Sequence, residues 1–578
     1  MIDQLSKHIT LKKLLLSLLF LTVINTVFSQ SCLPEGIVFT TQSQIDSFQI
    51  IYPNCNQIEG QVYIYGGDIS NLNGLNKIIY IGGRLYISST QNLQSLTGLD
   101  SLTSIGSYLW IENNTNLKSL VGLGSLNSMN HFLTITNNDR LKNLTGLGNF
   151  TSLPSLNIYN NDSLRNINAL QGLNLIGEAG NVQMEIANNP SLQSLTGLDS
   201  LNSILGLMLI KNNDSLTSLS GLESLSTVES IHVYENELLS DISNLNNVTG
   251  SVSSIQIFNN ENLNSLSGLE GITETTYIVL ISNNDLLQDL IGLNNLTDIG
   301  SLKVDDNDNL INLYGLENLL IIHNSLFIEN NDTLNDLSSL IGINEMAGEL
   351  RIKGNKSLTS LAGLDSISSL GFALSISNNE SLTNLFGLYN LSFIGSNLSI
   401  LNNNSLSTLS GLNSLNYVGR KITIESNSIL KNLYGIEGID PNAIIEFVIQ
   451  NNDSLTICDV QSVCDYLSNP DKEIDINNNA PGCASKEEVE EACLVSIPIN
   501  IPINDIYIHP NPAKMNITIT HPSGLLIDKV ILYNQYGQKV LTKFGIKDKI
   551  DISVLCQGSY IIEVITDESK IRKKLIIQ

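Results

Sequence analysis

The sequence predicts an all-β-dominated repeat solenoid, right-handed and made of about 17 coils of 23–25 residues, followed by a small C-terminal β-sandwich. Three observations predict it. First, the phrase Leu-x-Ile-x-Asn-Asn-x-x-Leu-x-x-Leu-x-Gly-Leu recurs, as at 109–123, 133–147, 374–388 and 398–412. Second, only 15% of the residues are charged and 6% aromatic, so the core must be built from aliphatic residues laid down at a regular period. Third, residues 505–578 lose the repeat and show short alternating strands separated by turns.

Within each copy, Leu-x-Ile has a period of two, which puts both aliphatic residues on one face and the residue between them on the other. This segment is a strand. The Asn pair then bends the chain, and Leu-x-x-Leu-x-Gly-Leu returns it with further aliphatic residues turned inward. One copy cannot bury these side chains alone, so copies must stack. The second Asn recurs from Asn114, Asn138 and Asn161 through to Asn427 and Asn452, where its amide can satisfy turn backbone on every coil. The recurrent glycine, as at Gly122 and Gly363, marks a bend that a side chain would obstruct.

The termini of the chain are read separately. Residues 1–29 form a signal peptide, with Lys7, Lys12 and Lys13 ahead of an apolar run at 14–28 that is short for a membrane span. No other segment reads as transmembrane, so none is expected in the mature chain. Residues 30–59 form an N-terminal cap, 60–455 the solenoid, 456–493 a Cys-containing C-terminal cap, 494–504 a linker and 505–578 the C-terminal module. The C-terminal cap carries two helical stretches, 459–467 and one opened by a Ser485/Glu488 capping box.

Cysteines fall only at the edges of the array: Cys32 and Cys55 before it, Cys458, Cys464, Cys483 and Cys493 after it, with Cys556 left over. Disulfides are the expected reading, because the chain is exported and no histidine stands near the second group to favour zinc. Cys32 also lies near enough to the leader to suggest a lipid anchor, but the residues before it lack the aliphatic position. Four cysteines allow three pairings.

The net charge is −27; residues 1–29 carry +2 and residues 505–578 carry +3, so the stretch between holds −32. Nucleic acid is therefore not an expected partner of the array.

The spacing Leu102, Ile105, Leu109, Ile111, Asn114 resembles leucine-rich repeats and, more closely, the receptor L-domain, over about 60–455. The C-terminal module resembles the type A C-terminal sorting domain of the type IX secretion system. The likeness rests on Pro510-Asn511-Pro512, the turn at Gly537, Gly558 with Tyr560, and the closing Lys573-Lys574. It implies passage across the outer membrane through that machinery, to a secreted or outer-cell-surface location.

Catalytic constellations are missing: there is no Gly-x-Ser-x-Gly, phosphate loop or His-Glu-x-x-His, and the chain is read as non-enzymatic. No cofactor is implied, with calcium at Asp305, Asp306 and Asp308 as the one candidate ion. Asp is also simply a good turn residue. Asp-Ser/Thr triplets, as at Ser101, Thr333 and Ser366, resemble an O-glycosylation signal and equally fit the repeat consensus.

The functional clue is a set of outward aromatic residues that the core does not need. Tyr63, Tyr86 and Trp110 share one outward column with His232; Tyr65, Tyr159, Tyr234 and Phe258 share the next. Such rings suit binding of protein or glycan on cell surfaces, and they also suit plain cross-strand stabilisation. Recognition and adhesion is the reading taken, with a structural spacer as its alternative.

Overall fold

The computed structural model describes residues 31–148, 150–177, 183–495 and 507–578, the last without Pro510, Pro512, 521–526, Gln535, 545–548 and 567–569. The expected signal peptide, nearly all of the linker, and two prolines of the sorting motif lie outside the described residues. The chain is a parallel β-solenoid of about eighteen coils with an antiparallel C-terminal module. It divides into two compact units, up to Gly206 and from Leu207 onward, each of which is taken by itself.

In the first unit the strand Leu-x-Ile appears as predicted at Val62–Tyr65, Leu85–Ser88, Leu109–Glu112, Phe132–Thr136 and Ser155–Tyr159. These strands pair in parallel without slippage, so Leu85, Leu109, Leu133 and Leu156 stand in one column. A second column of two-residue strands includes Tyr80–Ile81 and Ser104–Ile105. Between the columns, Leu93, Leu96, Leu99 and Leu102 and their equivalents are fully buried. Each such leucine contributes roughly 1.5–3 kcal/mol by leaving water, which is how a chain with few aromatic residues builds a core. The cap adds a helix the sequence reading did not place, Gln42–Ile51, started by a Thr41/Gln44 capping box and burying Ile45 and Phe48. Cys32 and Cys55 are joined in this cap.

In the second unit, Thr227–Tyr234, Gly250–Phe258, Ile272–Ser282 and Asp298–Asp305 merge the short and long strands into one run. Register shifts at Val252/Ser254 and Thr275/Ile278 absorb the extra residues. From Leu326–Glu329 the short form returns and continues to Glu446–Gln450. The ladder then runs on into the segment read as cap, where Glu473–Asn477 pairs with Glu446–Gln450. Helices Gln461–Leu467 and Lys486–Val495 close that end. Their disulfides resolve the pairing as Cys458–Cys483 and Cys464–Cys493. Glu488 N donates to Ser485 Oγ as a capping residue should, but the Glu488 carboxylate accepts from Gly482 N and Ala484 N, not from Ser485.

The Asn column is the polar spine of the fold. Asn331 is fully buried; its Oδ1 accepts from Asn307 N at 3.1 Å and from Asn307 Nδ2 at 3.2 Å. Its Nδ2 donates to Val304 O one coil back and to Glu329 O two residues back. The same pattern repeats at Asn355, Asn403 and Asn427, and Asn479 supplies a last rung that accepts from Asn452. The first Asn of each pair has a different task. Asn113, Asn330 and Asn402 have φ of 56°, 53° and 55°, a left-handed conformation that Asn tolerates. The glycine column is also explained: Gly363 has φ +114°, and a Cβ there would lie 2.0 Å from Leu337 O.

The C-terminal module has one sheet of Tyr507–His509, Asn516–Thr520 and Lys549–Asp551, and another of Lys539–Phe544, Ile527–Tyr533, Gly558–Thr566 and Lys570–Ile577. Their core includes Ile517, Val530, Leu532, Ile562 and Leu575.

Candidate recognition surfaces

Tyr63, Tyr86 and Trp110 occupy the residue between the strand Leu and Ile, which the pleat turns outward, and parallel pairing sets them side by side. Tyr63 meets Tyr86 with centroids 5.8 Å apart at 68°, and Tyr86 meets Trp110 at 6.0 Å and 74°. All three are half-buried. Tyr63 donates to Gln61 Oε1, and Tyr86 donates to Glu112 Oε1. Burial, with the Glu112 carboxylate second, pushes the Tyr86 phenol above its ordinary pKa. Trp110 Nε1 is buried and meets no acceptor among the described residues.

Three further residues complete this cluster that sequence reading missed. Arg84, Tyr108 and Phe132 sit one position before the strand Leu on successive coils. Arg84 Cζ lies 4.7 Å from the Tyr108 centroid, and Tyr108 stacks on Phe132 at 4.5 Å and 13°. The signal was present, because their period is the coil itself, but the position outside Leu-x-Ile drew no attention. Tyr65 is exposed and makes no ring contact among the described residues; Tyr159 is half-buried, its phenol pushed up first by burial.

In the second unit, Tyr234 and Phe258 stack at 4.2 Å and 11°, with Lys211 Nζ 5.2 Å over Tyr234. His232 Nε2 bonds Ser254 Oγ at 2.8 Å, and burial lowers its pKa. Of the eight aromatic and histidine candidates, Tyr63, Tyr86 and Trp110 are in ring contact in the first unit and Tyr234 and Phe258 in the second, while Tyr65, Tyr159 and His232 join neither stack.

The calcium candidates do not converge. Asp305 turns onto Lys303 at 2.9 Å, Asp306 is the left-handed residue of its turn, and Asp308 is exposed beside the acidic column of Asp285 and Asp332. No group of three or more His, Cys, Asp or Glu is placed to hold a metal among the described residues. The hydroxyls of Ser101, Thr333 and Ser366 bond carbonyls of the preceding coil, at Asn76, Asp308 and Ile341, which gives the triplets a structural task.

In the C-terminal module, Asn511 clamps the last strand: Nδ2 donates to Lys574 O, and Oδ1 accepts from Ile576 N. Asn534 Oδ1 organises the turn by accepting from Tyr536 N and Gln538 N, with Gly537 at φ +70°. Tyr560 donates to Cys556 O. A cavity of about 310 Å³ is lined by Phe386 and Tyr389 of the coils and by Tyr533, Tyr560 and Arg572 of this module.

Residues 507–578 match the secretion system C-terminal sorting domain, and residues 54–147 match the receptor L domain. No curated protein matches the chain. Among solved structures, the Toll–Spätzle complex of Drosophila is 12% identical, covering 76% of this chain and 70% of its own, with a TM-score of 0.27. A leucine-rich repeat protein from Bacteroides ovatus is 15% identical over 58% and 82%, with a TM-score of 0.16. The TLR13–ssRNA13 complex is 15% identical over 72% and 87%, also with a TM-score of 0.16. No helix among the described residues is long and apolar enough to cross a membrane. The chain is a receptor-L-like, leucine-rich solenoid carrying a secretion-system sorting domain, and it is exported to the medium or the cell surface.

Proposed function

We propose that this is a non-enzymatic recognition and adhesion protein that holds a cell-surface partner on the outward strand face of its first coils. The observation that carries the reading is the cluster of Tyr63, Tyr86, Tyr108, Trp110 and Phe132; in the rest of the first unit the equivalent positions hold Thr134, Asn157 and Glu185, and Ser155 and Gln183. Half-buried rings with an unmet indole donor are the composition of a binding anchor. A protein surface suits it better than a sugar ring laid flat. Tyr108 lies between Arg84 and Phe132, so both of its faces are covered and it offers an edge.

The spacer reading has its own support, because these same ring pairs stabilise the sheet. Labelled full-length protein, with and without Tyr86→Ala/Trp110→Ala, added to intact cells and to a glycan array, separates the two. We expect cell binding to drop by about tenfold or more, the scale of one lost hot spot. Undiminished binding at an unchanged unfolding midpoint sinks the aromatic site and leaves the spacer.

A further inference from the structure

We propose a second site on the first unit: a ladder of Lys118, Lys142 and Arg165, flanked by Arg140, that binds a linear acidic polysaccharide carrying one anionic group per sugar unit. The four cations lie in the return segment after the Asn turn, away from the outward strand positions of the aromatic cluster. Lys118, Lys142 and Arg165 each stand four residues after a spine asparagine, Asn114, Asn138 and Asn161, so they hold one position on three successive coils. Backbone bonds keep that register: Lys118 N to Gln94 O at 3.0 Å, Arg165 N to Lys142 O at 3.0 Å, and Gln193 N to Arg165 O at 3.4 Å.

All four side chains are exposed, and none forms an ion pair among the described residues. Among the described residues Lys118 Nζ meets the neutral Gln94 Oε1 and Arg140 Nη1 meets Asn116 Oδ1. Other cations of the coils are paired, as Lys356 with Asp332, Lys303 with Asp305 and Arg351 with Glu349, but no other three stand at one position on successive coils. Asp139 and Asp162 are exposed in the same turns, so residues 113–170 carry +2 within a stretch that totals −32. An unpaired basic row in so acidic a chain is an electrostatic footprint.

Charge and hydroxyl partners together select the ligand. Successive coils are about 4.8 Å apart, so the three cations form a straight, closely spaced row that a linear polyanion can follow. An extended acidic peptide, with same-face side chains about 6.8 Å apart, offers the charge but not the hydroxyls. Duplex nucleic acid needs a broad basic surface, and the neighbouring carboxylates repel it. The neutral amides at Gln94, Asn116, Asn143 and Gln193 suit sugar hydroxyls.

The test uses the full chain against immobilised polygalacturonate, with dextran, poly-glutamate and duplex DNA as comparators. Expected are binding to polygalacturonate alone, with a log–log salt slope of about −2 for three neutralised charges. Lys118→Gln/Lys142→Gln/Arg165→Gln should weaken it by about tenfold or more and flatten the slope. Lys353→Gln/Lys431→Gln and Tyr86→Ala/Trp110→Ala should leave it unchanged, which separates this site from the aromatic one. Equal binding by the triple variant, equal loss in the Lys353/Lys431 control, or tighter binding of DNA or poly-glutamate overturns the proposal. The exposed positions make misfolding simple to exclude, by comparing unfolding midpoints.

Discussion

Replacing Asn331 by alanine tests whether the asparagine spine holds the coils. Asn307 N has Asn331 Oδ1 as its side-chain acceptor at 3.1 Å, and Val304 O and Glu329 O receive Asn331 Nδ2 at 3.1 and 2.9 Å. Asn307 Nδ2 keeps Ile281 O and Asp305 O, so it is not orphaned. The variant therefore strands one buried N–H and weakens two carbonyls. At 1–3 kcal/mol for a buried unsatisfied group, the expected loss is about 2–5 kcal/mol. Denaturant unfolding measures the total, and amide exchange should show lost protection concentrated around 304–331, because a solenoid couples mainly neighbouring coils. Its chain neighbour supplies the contrast. Asn330 is left-handed at φ 53°, so Asn330→Gly should be nearly neutral, while Asn330→Val should cost about 1–2 kcal/mol through backbone strain alone. A loss under about 0.5 kcal/mol for Asn331→Ala, the range of an ordinary surface change, would refute the spine argument.

Two other outcomes follow from the same geometry. Gly363→Ala meets Leu337 O at 2.0 Å and a φ of +114°, so it should cost at least about 2 kcal/mol, read as a lower denaturant midpoint; a neutral result would mean the bend can open. Asp308 is held above the usual carboxylate range, first by burial and then by Asp285 and Asp332. A raised folded-state pKa means the native chain takes up the proton more readily than the unfolded chain. Ionised Asp308 therefore detracts from stability at neutral pH, and the deficit fades as pH falls through its folded-state pKa. Asp308→Asn should accordingly raise the unfolding midpoint near neutrality and have no effect in acid; a lowered midpoint would instead point to a cation held by that column.

The repeat was legible because its core obeys one period: a strand face of two, a buried Asn and a glycine bend recur in sequence as they do in space. What escaped shows where that logic stops. The left-handed residue is Asn at 113 and 330 but Ser89, Glu235, Asp306 and Ser426 elsewhere, so the backbone keeps a conformation the residue type does not announce. The merged strand Ile272–Ser282 hides behind Thr275-Thr276-Tyr277, since only pairing with Asp298–Asp305 reveals the shifted register. Disulfide partners were undecidable because they depend on Cys458 lying one coil from Cys483, a relation set by the extra strand Glu473–Asn477. The three calcium candidates are adjacent in sequence yet turn apart, because a residue on the strand end, a left-handed residue and a turn residue point in different directions.

In a stacked array, positions that must be the same on every coil carry packing, so information about a partner can reside only in positions that differ between coils. The outward strand column fits this rule: in the first unit it reads Tyr63, Tyr86, Trp110 and then Thr134, so the run of rings breaks off although the strand continues. Sheet stability alone does not explain that stop, since Thr134 to Asn157 pair in the same register without rings. The column four residues after the spine behaves likewise in the first unit, running Gln94, Lys118, Lys142, Arg165, Gln193, with charge on three successive coils and a single further cation at Lys431. Two runs of different chemistry that break off while the ladder continues are what the proposed recognition role expects and what a uniform spacer does not need.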